Sequence, residues 1–114
     1  MQRDKWKARV RHILESIDKI GTYTREMDSA AFCSNSLVVD AVLRNFTIIG
    51  EAARNVPAEV AAAYPELPWR LMQDMRNVLI HDYPGVDLAV VWRTVQDDLP
   101  PLVPLLRKIV EQNP

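Results

Sequence analysis

"PWRLMQDMRNVLIHDYPG", residues 68–85, poses the chain's first question: it is apolar enough to be buried, yet it ends in arginine, asparagine, histidine and tyrosine. Laid on a helix at about 100° per residue, residues 71–83 place Leu71, Met75, Val78 and Leu79 on one side, the expected core face. On the opposite arc fall Tyr83, Arg76, Ile80, Asn77 and His81. The spacing predicts a helix from about Pro68 to Asp82, stopping before Pro84 and Gly85, because the residue before a proline is pushed out of the α region.

Outward from this stretch the same period recurs. In residues 4–27, Trp6, Val10, Ile13, Ile17, Ile20 and Met27 repeat at spacings of three, four and seven, the pattern of an amphipathic helix. A second helix is expected over about residues 35–55, with Val38, Val42, Phe46, Ile49 and Ala53 on one stripe. Pro57 suits the first turn of a short helix, "PAEVAAAY", that Pro65 closes. A further helix starts near Val86 or Asp87 and runs into "DDLPPLVPLL". That segment either kinks it or restarts it, with Asp97 or Asp98 as cap and Pro100 and Pro101 in the first turn. No segment alternates like a strand between hairpin turn residues. The expected fold is all-α: an antiparallel bundle of about five helices, one domain over residues 1–114.

Composition narrows the function classes. At 114 residues and 48% hydrophobic content the chain can build one core. Fourteen Lys and Arg against fifteen Asp and Glu give a net charge of -1, so the bulk balance demands neither nucleic acid nor an anionic membrane. The local excess at Arg3, Lys5, Lys7, Arg9 and Arg11 reads as a solvated helix face. A single cysteine excludes an intramolecular disulfide and a multi-cysteine zinc site; Cys33 is expected to be a small buried hydrophobe in a reducing cytoplasm. No apolar run reaches the roughly 18 residues of a membrane span, and no signal-type apolar region follows the basic start, so a chain neither secreted nor membrane-spanning is expected.

The polar arc of the opening stretch supports a specific chemistry. Ile80, an aliphatic residue between Arg76 and His81, suits contact with another chain better than solvent. Imidazole moves protons near neutral pH, and guanidinium offers a fork of donors matched to phosphate oxygens. RNA carries its own nucleophile, the 2′-hydroxyl, so cutting it needs a base, an acid and a positive group rather than a metal. One histidine in the arc is too few for both base and acid, but a two-fold dimer would bring together two. Arg, Asn and His in the last turn of a helix also complement its exposed carbonyls and dipole, and spacing alone leaves both readings open.

Arg76, four residues, His81, one residue and Tyr83, preceded by "IIGEAARNVP" and set within "PW...MRNVLIHDY", resemble the HepT-like toxins of the HEPN superfamily. "WKARVRHILESIDKI" is similar to that family's first helix and "VVWRTVQDDLPPLVPLL" to its last, so the resemblance covers nearly the whole chain. It implies a helical homodimer with the Arg and His of both protomers in one composite cleft, a metal-independent endoribonuclease without cofactor, and the toxin role of a type VII toxin–antitoxin pair. By that resemblance Arg76 binds the scissile phosphate, His81 is general acid or base, and Asn77 assists in positioning. Tyr83 matches the tyrosine that an MNT-type nucleotidyltransferase antitoxin adenylylates, adding bulk and negative charge beside the cleft.

Glu51, within "GEA", is either a carboxylate that orients Arg76 or a plain helix-surface residue. Arg44 and Arg54 could guide RNA, but exposed arginines seldom do; His12 reads as a surface histidine, and Trp6, Trp69 and Trp92 as core or interface anchors. A different class remains beside the ribonuclease: a non-catalytic helical adaptor, or a nucleotide- or RNA-binding module, serving a nucleotidyltransferase.

Overall fold

The first helix, α1 (Lys5–Thr24), forms where the three-and-four spacing predicts it, with Val10, Ile13, Ile17 and Ile20 buried and His12 exposed. The computed structural model describes residues 5–77 and 87–114. α1 ends in a turn closed by the Met27 N–H donating to the Thr24 carbonyl at 3.0 Å, with Glu26 at φ 65°. A left-handed residue just past a helix end is the ordinary stop signal, although glycine usually fills it.

Asp28 and Asn35 start the next two helices. The Asp28 carboxylate accepts from the Ala31 N–H at 2.8 Å to cap α2 (Ser29–Cys33), a short helix that the periodicity did not reveal. The Asn35 side-chain oxygen accepts from the Val38 N–H at 3.1 Å to cap α3 (Ser36–Arg54). Both satisfy N–H groups that a helix start leaves without partners. α3 is the central element, packed against α1 and α2 and buried along Val42, Phe46, Ile49 and Ala53, four of the five residues of the expected stripe.

Cys33 departs from expectation: it is exposed. Its neighbour Phe32 takes the core position of the short helix and stacks on Trp92, with ring centroids 5.1 Å apart at 33°. Of the two neighbours the larger aromatic takes the interior position, where its burial stabilises more.

α4 (Ala58–Ala63) follows Pro57, and α5 (Trp69–Asp74) follows Pro68 and packs on α3. The Trp69 indole N–H donates to the Tyr64 carbonyl at 3.1 Å, tying the connector between these helices to α5. The inward residues of α5 are Trp69 and Met72, continued by Met75, whereas Leu71, assigned to the core by the 71–83 wheel, is 39% exposed. Starting the wheel at Leu71 left out Trp69, the largest apolar group of the helix, which sets its rotation. Val78 and Leu79, the rest of that predicted face, lie outside the described residues.

Asp87 caps α6 (Leu88–Arg93), its carboxylate accepting from Ala89 and Val90 at 3.0 and 3.4 Å. The helix continues through a π turn, Thr94–Asp98, in which the Leu99 N–H reaches back five residues to the Thr94 carbonyl at 3.1 Å. The chain then restarts as α7 (Leu102–Gln112), against α1. Asp97 and Asp98 lie inside the π turn and do not cap α7; Pro101 occupies that position with no side-chain bond. Pro104 sits in the first turn, where a missing N–H costs least.

All described residues are helix, turn or connector, and their buried side chains form one continuous core, as the expected all-α bundle requires. Among them no helix is long and apolar enough to cross a membrane.

Candidate active site

The site begins where α5 runs out. Its last turn tightens as the Met75 N–H donates to the Met72 carbonyl at 3.3 Å, and Met75 is buried, so Arg76 leaves the helix with its backbone pressed toward α3. The residue beneath it is Gly50. A Cβ built on Gly50 would lie 2.6 Å from the Arg76 Cβ, 2.7 Å from its backbone nitrogen and 3.1 Å from its Cα. The two elements meet at a distance that only glycine permits.

The next residue of α3, Glu51, points to the exposed side of that helix and its carboxylate pairs with the Arg76 Nε. The pair is partly open to water, with side chains 32% exposed for Arg76 and 49% for Glu51. Glu51 is thus both a helix-surface carboxylate and the ion-pair partner of Arg76. Arg44 lies exposed two turns earlier on the same face of α3, and Arg54 is exposed at its end.

A second polar group is centred on Asp74. The Asn77 amide donates to the Asp74 carboxylate at 3.5 Å, and the Arg70 Nε lies 3.6 Å from the other oxygen of Asp74. These are long, exposed contacts that organise a surface rather than hold the fold. Beside them an apolar cleft of about 160 Å³, lined by Phe46, Leu71, Met75, Val90 and Val91, opens between α5 and α6. A larger cleft of about 290 Å³ between the end of α1 and the π turn contains none of the predicted site residues.

Of the residues singled out from sequence, Arg76 and Glu51 are thus brought together, while the Asn77 side chain bonds to Asp74. Ile80, His81 and Tyr83 lie outside the described residues. Among the described residues no group of three His, Cys, Asp or Glu side chains is placed to hold a metal ion. Gly50 is the residue that sequence reasoning missed. An interior helix glycine was a signal available for it, but Gly21 gives the same signal and meets nothing within 4 Å.

A family model described as HepT-like, ribonuclease HepT-like, matches residues 13–109, a range that holds the whole stretch from Gly50 to Tyr83. The chain is 41% identical over 106 residues to a Methanocaldococcus jannaschii protein named as a gamma-glutamylcyclotransferase and candidate RNase. That match covers 93% of this chain and 48% of the relative, so the chain spans about half that protein's length. It is 44% identical over 90 residues to a Thermococcus cleftensis protein named as a probable ribonuclease HepT, covering 79% of this chain and 82% of the relative. A second M. jannaschii protein, named as a candidate RNase, is 37% identical over 105 residues, covering 92% of this chain and 93% of the relative. No solved structure matches the chain.

Proposed function

This chain belongs to the HepT-like ribonuclease family, and from that premise we propose that it is a metal-independent endoribonuclease whose site is built from Arg76 and His81. The observation that carries the reading is Arg76: a guanidinium at the end of a helix, one third exposed and engaged by Glu51 at Nε, with donors left for a phosphate.

In the proposed reaction the 2′-hydroxyl of one nucleotide attacks the adjacent phosphorus while an imidazole removes its proton. Charge builds on the non-bridging oxygens, where Arg76 donates. The bond from phosphorus to the 5′-oxygen breaks and a second imidazole protonates that oxygen, leaving a 2′,3′-cyclic phosphate and a 5′-hydroxyl. Two imidazoles come from two copies of His81 in a homodimer, with Ile80 at the contact between the copies. Asn77 and Glu51 support the arginine. The protein is the toxin of a type VII pair, and an MNT-type nucleotidyltransferase silences it by placing AMP on Tyr83, whose added charge repels RNA.

The test is incubation of unmodified protein, checked by mass for AMP on Tyr83, with labelled RNA in EDTA beside Arg76→Ala and His81→Ala. Cutting that leaves 2′,3′-cyclic phosphate and disappears in both variants is the expected result. Wild-type protein that leaves RNA intact as an AMP-free dimer would overturn the reading in favour of a binding or adaptor role.

A further inference from the structure

We propose that Gly50 and Glu51 together position Arg76, the first setting the height of its backbone over α3 and the second setting the turn of its guanidinium. The inference rests on the ribonuclease reading only for what the arginine then does.

Three observations carry it. A helix interior disfavours glycine, yet Gly50 lies deep in α3, and the atoms a methyl there would strike are the N, Cα and Cβ of Arg76. These are backbone and the root of a side chain rather than its flexible end, so any larger residue displaces Arg76 itself. Second, the contact from Glu51 falls on Nε, and among the described residues it is the one ion pair of Arg76. With Cβ held from Gly50 and Nε from Glu51, the side chain is fixed at both ends of its aliphatic stem. The outer edge of the guanidinium, with its paired Nη donors, is left for a phosphate. Third, the ion pair is too exposed to contribute much to stability, so its effect falls on orientation. Misplacing a catalytic group by about 1 Å can slow a reaction by ~100-fold.

Glu51 and Gly50 are therefore positioning residues, and their variants separate positioning from folding. Cleavage of labelled RNA is measured for wild type, Glu51→Ala, Glu51→Gln and Gly50→Ala, with kcat and KM resolved, alongside thermal unfolding and the Arg76 Nε–H resonance in ¹H–¹⁵N spectra. Glu51→Ala is expected to lower kcat by roughly 10- to 100-fold at a near-wild-type melting temperature. Its Arg76 Nε–H is expected to lose protection from exchange. Glu51→Gln, which keeps an oxygen that can accept from Nε, recovers most of the rate. Gly50→Ala loses kcat even where it is fully folded, while Gly21→Ala, where the added methyl meets nothing within 4 Å, cuts like wild type.

A Glu51→Ala protein that cuts at the wild-type rate, or a Glu51→Gln protein as slow as Glu51→Ala, overturns the inference. If wild-type protein cuts no RNA, the ribonuclease reading fails instead, and the Nε–H signal still decides: equal protection in wild type and Glu51→Ala refutes the positioning role.

Discussion

Replacing Gly50 by alanine is expected to destabilise the protein, although the same change at Gly21 stabilises it. Both glycines lie inside helices, α3 and α1, so both substitutions gain the ~0.5–1 kcal/mol by which alanine exceeds glycine there. At Gly21 a new Cβ meets nothing within 4 Å, and the gain stands undiminished. At Gly50 it meets the Arg76 Cβ at 2.6 Å and N at 2.7 Å, where carbon atoms ordinarily rest at ~3.5–4.0 Å. The overlap approaches ~1 Å against atoms that cannot rotate aside, so α5 must back away from α3, the kind of overpacking that costs ~1–3 kcal/mol. An overlap this large belongs to the upper part of that range, ~2–3 kcal/mol, so the net loss is ~1–2.5 kcal/mol and the two variants differ by the same ~2–3 kcal/mol, the helix preference cancelling between them. At ~4 °C per kcal/mol for a domain of this size, Gly21→Ala melts ~2–4 °C higher and Gly50→Ala ~4–10 °C lower. The assay is thermal unfolding by circular dichroism at one fixed protein concentration, repeated in urea to compare slopes. A Gly50→Ala protein as stable as wild type would refute the close approach.

Glu26→Gly relieves a left-handed non-glycine residue after α1 and is expected to raise stability by ~1 kcal/mol in denaturant melts; a loss would show that the Glu26 side chain matters more than its backbone. Asp87→Ala removes the cap that accepts from Ala89 and Val90, costing ~1 kcal/mol, with Asp87→Asn recovering most of it in the same melts. Met72→Ala is expected to cost ~2–5 kcal/mol and Leu71→Ala under ~1 kcal/mol, by urea unfolding; the reverse order would mean that α5 turns its other side inward.

Much of the bundle was legible because burial imposes a period. Val10, Ile13, Ile17 and Ile20 repeat at helical spacing and are buried, and so are Val42, Phe46, Ile49 and Ala53. What escaped was governed by short-range geometry. The five residues of α2 are too few to show a period, and its rotation was decided by Phe32 outcompeting Cys33 for the interior. The rotation of α5 followed Trp69, just outside the window read. At the site, Arg76, Asn77 and Glu51 could be named from residue type and resemblance, and the ion pair between residues 51 and 76 joins two of them. The close approach of Gly50 to Arg76 could not be read, because the absence of a side chain carries no chemical type. Gly21 and Gly50 differ only in what lies across from them, which is a property of the folded molecule.

The π turn at Thr94–Asp98 makes the C-terminal end of the chain tolerant of a change in length. A π turn is an α-helix holding one residue in excess, and the helix on either side keeps its own rotation. Deleting one residue there returns the turn to α spacing while Leu102, Leu106 and Ile109 still face the core. The same deletion within α1 or α3 would spin everything beyond it by about 100° and turn the apolar stripe to water. The bundle thus carries a spare residue at one known address, where a one-residue gap between homologous sequences can be absorbed without repacking.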